Sequence, residues 1–156
     1  MKKFAFSMAA GFALFLTGCS DDYDCASNDM FFSAMAIKGG YSADENGFYE
    51  YIDLLEKNID NIKIDLTKMD DTNKRSYCTA YYSYKKDMSE EDFIKISKTI
   101  TNTQSPLADA IFRRALSELK EVARQKNTTW QETINQQKLT YSAYDNGRGE
   151  IYIEVE

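Results

Sequence analysis

Leu139-Thr140-Tyr141-Ser142-Ala143-Tyr144-Asp145-Asn146-Gly147-Arg148-Gly149-Glu150-Ile151-Tyr152-Ile153-Glu154-Val155 decides the fold. Leu139, Tyr141 and Ala143 alternate with polar residues, and so do Ile151, Ile153 and Val155. That is the period of half-buried strands, and Asp145-Asn146-Gly147 between them is hairpin-turn chemistry. A two-residue Asn146-Gly147 loop would place Tyr141 opposite Tyr152 and Leu139 opposite Glu154, mixing apolar and polar faces. A three-residue Asp145-Asn146-Gly147 loop pairs Tyr144 with Arg148, Tyr141 with Ile151, Leu139 with Ile153 and Lys138 with Glu154. Only the second keeps the faces apart, so it is the expected register, with Gly147 left-handed.

Working back from that hairpin, Ile62, Ile64 and Leu66 alternate with Lys63, Asp65 and Thr67, and Asp70-Asp71-Thr72-Asn73 supplies a turn. Arg75 to Lys85 is strand-like, rich in tyrosine. With Cys78, Ala80 and Tyr82 inward, these residues fall opposite Leu66, Ile64 and Ile62 in a first antiparallel hairpin.

The remaining segments have helical periods. Ser27 or Asn28 caps a helix to about Lys38, stopped by Gly39-Gly40, with Met30, Phe31, Ala34, Met35 and Ile37 apolar. Ser42-Ala43-Asp44-Glu45 reads as a capping box before Phe48, Tyr51, Ile52, Leu55 and Ile59. Ser89-Glu90-Glu91-Asp92 opens a third helix through Phe93, Ile96 and Ile100. Ser105-Pro106 opens a fourth, with Leu107, Ile111, Phe112, Ala115, Leu119 and Val122 along one side. Thr129-Trp130-Gln131-Glu132 is a further capping box, with Trp130 anchoring that turn on the sheet. The expected class is α+β, an antiparallel sheet of about four strands in two hairpins with helices on one face.

Composition narrows the function. The chain has 156 residues, enough for one domain, with 43% hydrophobic and 28% charged residues and only one Pro. It has no His, which removes imidazole-based nucleophiles and most zinc sites. A formal net charge of -6 argues against nucleic acid as a partner.

Lys2 and Lys3 precede an uncharged apolar run from Phe4 to Leu16, too short to span a bilayer and suited to a signal peptide. The run ends in Leu16-Thr17-Gly18-Cys19, which resembles the lipobox of bacterial lipoproteins. An ordinary signal peptide that happens to contain a Cys is the alternative. The resemblance implies cleavage before Cys19, a diacylglycerol thioether on its sulfur and acylation of the new amine by a palmitate-like chain. Three acyl chains exceed the two signals that stable anchoring requires. Ser20, rather than Asp, after the lipidated Cys implies the outer membrane. The expected organisation is 1–18 signal peptide, 19–24 tether and 25–156 a single periplasmic domain.

Cys25 and Cys78 then remain, an even number in an oxidising compartment, which favours a disulfide. A catalytic thiol is the alternative, although neither a CxxC motif nor a His is present to activate it. The early Cys, Ile62-Lys63-Ile64-Asp65-Leu66, Tyr77-Cys78-Thr79-Ala80 and the closing hairpin are similar to small uncharacterised lipoproteins of Gram-negative bacteria. That resemblance implies a curved sheet over a helix, cystatin-like or NTF2-like. It supplies no active site, because the matching residues are turn, core and bridge positions.

The chain carries no phosphate loop, nucleophile elbow or metal motif, so no cofactor and no metal is expected. Acid clusters at Asp21, Asp22 and Asp24, at Asp70-Asp71 and at Glu90-Glu91-Asp92 read as linker, turn and helix cap rather than paired catalysts. The eleven tyrosines weigh more. Tyr77, Tyr81, Tyr144 and Tyr152 fall on the outward face of the strands, where tyrosine suits a protein interface. The alternatives are a plain Tyr/Thr-rich sheet surface, or one covered by the helices between the hairpins. The expected function is a non-enzymatic module that binds an envelope protein, as an immunity, inhibitor or exclusion lipoprotein does; a carrier of a small hydrophobic ligand and an envelope enzyme are the alternatives.

Overall fold

The computed structural model describes residues 23–43, 45–103, 105–148 and 150–156. Cys19, the lipobox and the expected signal peptide lie outside the described residues. Along the chain run α1 (Asn28–Lys38), α2 (Phe48–Asn58), β1 (Ile59–Asp70), β2 (Arg75–Tyr84), α3 (Glu90–Ile100), α4 (Pro106–Lys126), α5 (Trp130–Thr133), β3 (Gln137–Asp145) and β4 (Ile151–Val155). The four strands form one antiparallel sheet in the order β1-β2-β3-β4. The fold is α+β.

The helix starts follow their caps. Ser27 accepts from the Met30 N–H, Ser89 from Asp92 and Ser105 from Ala108, each hydroxyl meeting an amide that the first turn leaves open. Helix α2 departs from its expected box. The Ser42 N–H and hydroxyl do donate to the Glu45 carboxylate, but they close a separate turn. The helix begins only at Phe48, after Gly47 in the left-handed region.

Helix α1 lies between the inner face of β3 and β4 and helix α2, and every residue from Met30 to Ala36 is buried. Its end packs closely enough to require glycine: a Cβ on Gly39 would stand 2.6 Å from the Thr99 methyl of α3. Phe31 meets Tyr82 of β2, Phe93 of α3 meets Tyr84, and Trp130 of α5 meets Phe93. Trp130 thus anchors its turn through α3, which touches the sheet in its place.

Helix α4 forms an outer layer on α3 and α5. It buries Ala108, Leu116 and Ala123, while Leu107, Ile111 and Val122 are exposed. The expected stripe is therefore turned by about one residue. A helix with neighbours on one side hides only a narrow strip, and the small residues Ala108 and Ala123 allow the closest approach.

The first hairpin pairs Leu66 with Cys78 and Ile64 with Ala80, as the alternation requires. The expected Ile62–Tyr82 pair falls in a bulge between Asp60 and Lys63, beside left-handed Asn61. The second hairpin differs in register. Tyr141 faces Val155, Ala143 faces Ile153 and Tyr144 faces Tyr152, so the strand is displaced by four residues from the expected pairing. Gly147 is left-handed, with φ 79°. A displacement by an even number leaves every side chain on its face, so face segregation cannot distinguish the two registers. The wider loop is closed by its own side chains. Asp145 accepts from the Gly147 N–H, Asn146 accepts from the Arg148 N–H, and the Asn146 amide donates to Glu150.

Candidate functional site

Cys25 and Cys78 are joined by a disulfide, with Cα atoms 6.0 Å apart and 53 residues of separation. Polar bonds surround it. The Cys25 N–H donates to Ser76 Oγ at 3.0 Å, the Tyr141 hydroxyl donates to the Cys25 carbonyl at 2.8 Å, and Ser76 donates to the Tyr23 carbonyl. Tyr23, inside the expected tether, is buried, and its hydroxyl donates to Asp71 in the β1–β2 turn. Residues 23–25 are thus strapped across the inner face near one end of the first hairpin. The thiols are consumed by the bond and offer no nucleophile.

The opposite face of the sheet carries no helix among the described residues; the helices contact the inner side. Strand alternation and register bring Arg75 and Tyr77 of β2, Ser142 and Tyr144 of β3, and Tyr152 and Glu154 of β4 onto that outer face. Arg75 is its centre. Its guanidinium lies 4.7 Å from the Tyr144 ring centroid and 5.5 Å from that of Tyr77. It forms an ion pair with Glu154, and its Nε–H donates to Ser142 Oγ at 3.3 Å. Cation–π attraction and the ion pair hold this long side chain flat on the sheet.

Around Arg75 the tyrosines are ordered by contacts of their own. Tyr144 and Tyr152 stack with centroids 5.4 Å apart and planes 17° from parallel. The Tyr152 hydroxyl donates to Glu150 at 3.1 Å, and Asn146 donates to the same hydroxyl at 3.3 Å. The Lys68 ammonium stands 5.4 Å from the Tyr77 ring centroid. Burial, with Glu154 nearby, pushes the Tyr144 phenol up despite the adjacent Arg75, so the ring stays neutral.

Three of the four outward tyrosines therefore meet in one cluster. Tyr81 does not join it. It faces Lys63 on β1 and Lys138 on β3, about 13 Å along the strand from Tyr77. Arg75 is the residue that sequence reasoning missed. Its signal was present: a cation two places before an outward tyrosine in the same strand must share that tyrosine's face.

The acid clusters have local roles. Asp70 accepts from both the backbone and the side chain of Asn73, which lowers its pKa and shapes the turn. Burial pushes the Asp92 carboxyl up, but hydrogen bonds from Lys57 and Asn58 outweigh it and hold the group below its ordinary value. Asp24 accepts from the Ala26 N–H, and Glu90 pairs with Lys120. Asp21 and Asp22 lie outside the described residues. Among the described residues no group of three or more Cys, Asp or Glu side chains is placed to hold a metal ion.

The layer between sheet and helices is filled by side chains such as Phe31, Met35, Leu139 and Tyr141. A surface depression of about 440 Å³ lies at the far end of β2, where Asp60, Lys85, Lys86 and Glu132 share the lining with Tyr84 and Ile134. No described helix is long and apolar enough to cross a membrane. Compared with protein-family models, curated proteins and solved structures, the chain finds no match in any of the three.

Proposed function

We propose that this protein is a lipid-anchored module of the cell envelope that acts by binding another protein and not by catalysis. The observation that carries the reading is the helix-free outer face, where Arg75 lies among Tyr77, Tyr144, Tyr152 and Glu154. Tyrosine and arginine, with tryptophan, are enriched among the residues that carry binding energy at interfaces, tyrosine because it buries a large area at small entropic cost. Here the arginine and its rings are already fixed by mutual contacts, so little freedom is lost on docking.

The anchor rests on the basic start, the apolar run and the Leu16-Thr17-Gly18-Cys19 box, and the outer-membrane placement on Ser20. The net charge of -6 suits a partner that is basic overall, as a secreted toxin or a cell-wall-active enzyme can be. An immunity, inhibitor or exclusion role follows from such contact.

The test is in-envelope crosslinking from a photoreactive residue placed at Tyr152, with and without Arg75→Glu. A single crosslinked species, other than a dimer of this chain, that disappears with Arg75→Glu, while the variant keeps its melting temperature, supports the reading. Crosslinking that Arg75→Glu leaves unchanged removes the face from consideration. Mass analysis of Cys19 tests the anchor separately, and an uncut leader or a bare thiol there refutes it.

A further inference from the structure

The two edges of the sheet are built differently. Edge strand β1 is interrupted by bulges between Asp60 and Lys63 and between Leu66 and Lys68, has left-handed Asn61, and carries charges at Asp60, Lys63, Asp65 and Lys68. Such features prevent a second strand from pairing. Edge strand β4 has neither a bulge nor a left-handed residue: Ile151-Tyr152-Ile153-Glu154-Val155 pairs regularly, contains no Lys or Pro, and carries one charge, Glu154, on the outer face.

The bonding phase of β4 can be read from its ends. The Glu156 N–H donates to the Thr140 carbonyl at 3.0 Å and the Asn146 N–H to the Glu150 carbonyl at 3.2 Å. Even-numbered residues of β4 therefore turn their backbone groups toward β3, and Ile151, Ile153 and Val155 turn theirs outward. No described residue bonds to those three N–H and three C=O groups. Polar backbone groups along a regular strand are a template for another strand.

We propose that β4 pairs with β4 of a second copy of this chain, antiparallel about a two-fold axis through Ile153. The three outward residues are self-complementary about that axis. Ile153 meets Ile153 of the partner subunit, and Ile151 meets the partner's Val155. Each of these is a bonded pair, so all the outward groups of both strands are satisfied together. On the inner side the contact matches aliphatic with aliphatic, covering Ile153 and Val155, which are only half-buried in one copy. On the outer side Tyr152 comes beside the partner's Glu154. Two four-stranded sheets become one of eight strands, and the tyrosine–arginine clusters of the two copies lie side by side. The proposal goes beyond the binding reading and stands without it.

Val155→Pro tests this directly. The lost N–H is one that points away from β3, so the subunit loses no internal bond while the pairing loses its outermost contacts. The full chain in detergent micelles is measured by sedimentation over a concentration series, alongside amide exchange of Ile151, Ile153 and Val155. The expected result is a reversible dimer, slower exchange of those three amides as concentration rises, and self-association weakened by about tenfold or more in Val155→Pro. A chain that stays monomeric up to the highest concentration overturns the proposal. So does a dimer whose three amides exchange freely, which would point to the exposed α4 stripe instead. Exchange in the unsubstituted chain discriminates between these outcomes even if the variant fails to fold.

Discussion

The inner and outer faces of the same four strands obey different rules. The inner face presents Cys78, Ala80, Leu139, Tyr141, Ala143 and Ile151, all buried under helices, where the hydroxyl of Tyr141 must find the Cys25 carbonyl. The outer face presents Tyr77, Tyr144 and Tyr152 with Arg75 and Glu154, whose contacts run sideways between neighbours rather than into a covering layer. Aromatic content therefore does not identify a core. What separates the faces is whether each ring has a layer above it or only a neighbour beside it. The inner face supports the fold, and the outer face carries no helix among the described residues.

Perturbing each face tests that division, and the effects should descend in size from inside to outside. Replacing both bridge residues, Cys25→Ser with Cys78→Ser, reopens a loop that the chain-entropy account values at about 4 kcal/mol; calorimetry should show a lower melting temperature. An unchanged midpoint would mean the strap contributes nothing to stability. Leu139→Ala leaves a hole in a fully buried position and should cost about 3 kcal/mol in urea unfolding. Tyr141→Phe removes only the bond to Cys25 and should cost about 1 kcal/mol in the same assay.

On the outer face the scale changes. Arg75→Ala should alter unfolding by no more than about 1 kcal/mol, since its ion pair reaches a half-exposed Glu154, yet it should abolish partner crosslinking. A large stability loss there would place Arg75 among the supporting residues and blur the contrast. The smallest effect is expected at α5. Hydrogen bonds from Lys86, Thr128 and the Thr129 N–H hold the Glu132 carboxyl at about 2, below its ordinary 4.5. A depressed carboxyl stabilises the fold above its ordinary pKa, and that share is lost as pH falls from 4.5 toward 2. Protection of the amides around Thr129–Thr133, taken relative to their intrinsic exchange rates at each pH, should fall across that window, and Glu132→Gln should remove the dependence.

Much of this architecture was legible because side-chain period and local caps act at short range. Ser27, Ser89 and Ser105 marked helix starts correctly, and Leu66 and Cys78 found each other through alternation alone. The misreadings concern relations that a period cannot carry. The β3–β4 register moved by four residues because an even displacement preserves every face, and loop bonds from Asp145 and Asn146 made the difference. The α4 stripe turned because small Ala108 and Ala123, not the larger Leu107 and Ile111, meet the neighbouring helices. At the candidate site the tyrosines were visible as outward positions. The spacing of Arg75 to Tyr77 put it on the same face, but its packing on Tyr144 could be read only once β2 and β3 were in register.

The strap at Tyr23–Cys25 has a mechanical consequence. A pull on the chain from its N-terminal side reaches Cys25 and passes through sulfur directly into β2, an interior strand of the sheet. Residues 26 to 77, including α1, α2 and β1, sit within the closed loop and lie off the load path. Tension applied from that side would therefore be borne by a covalent bond and the sheet's central ladders, while the helices beneath remain slack.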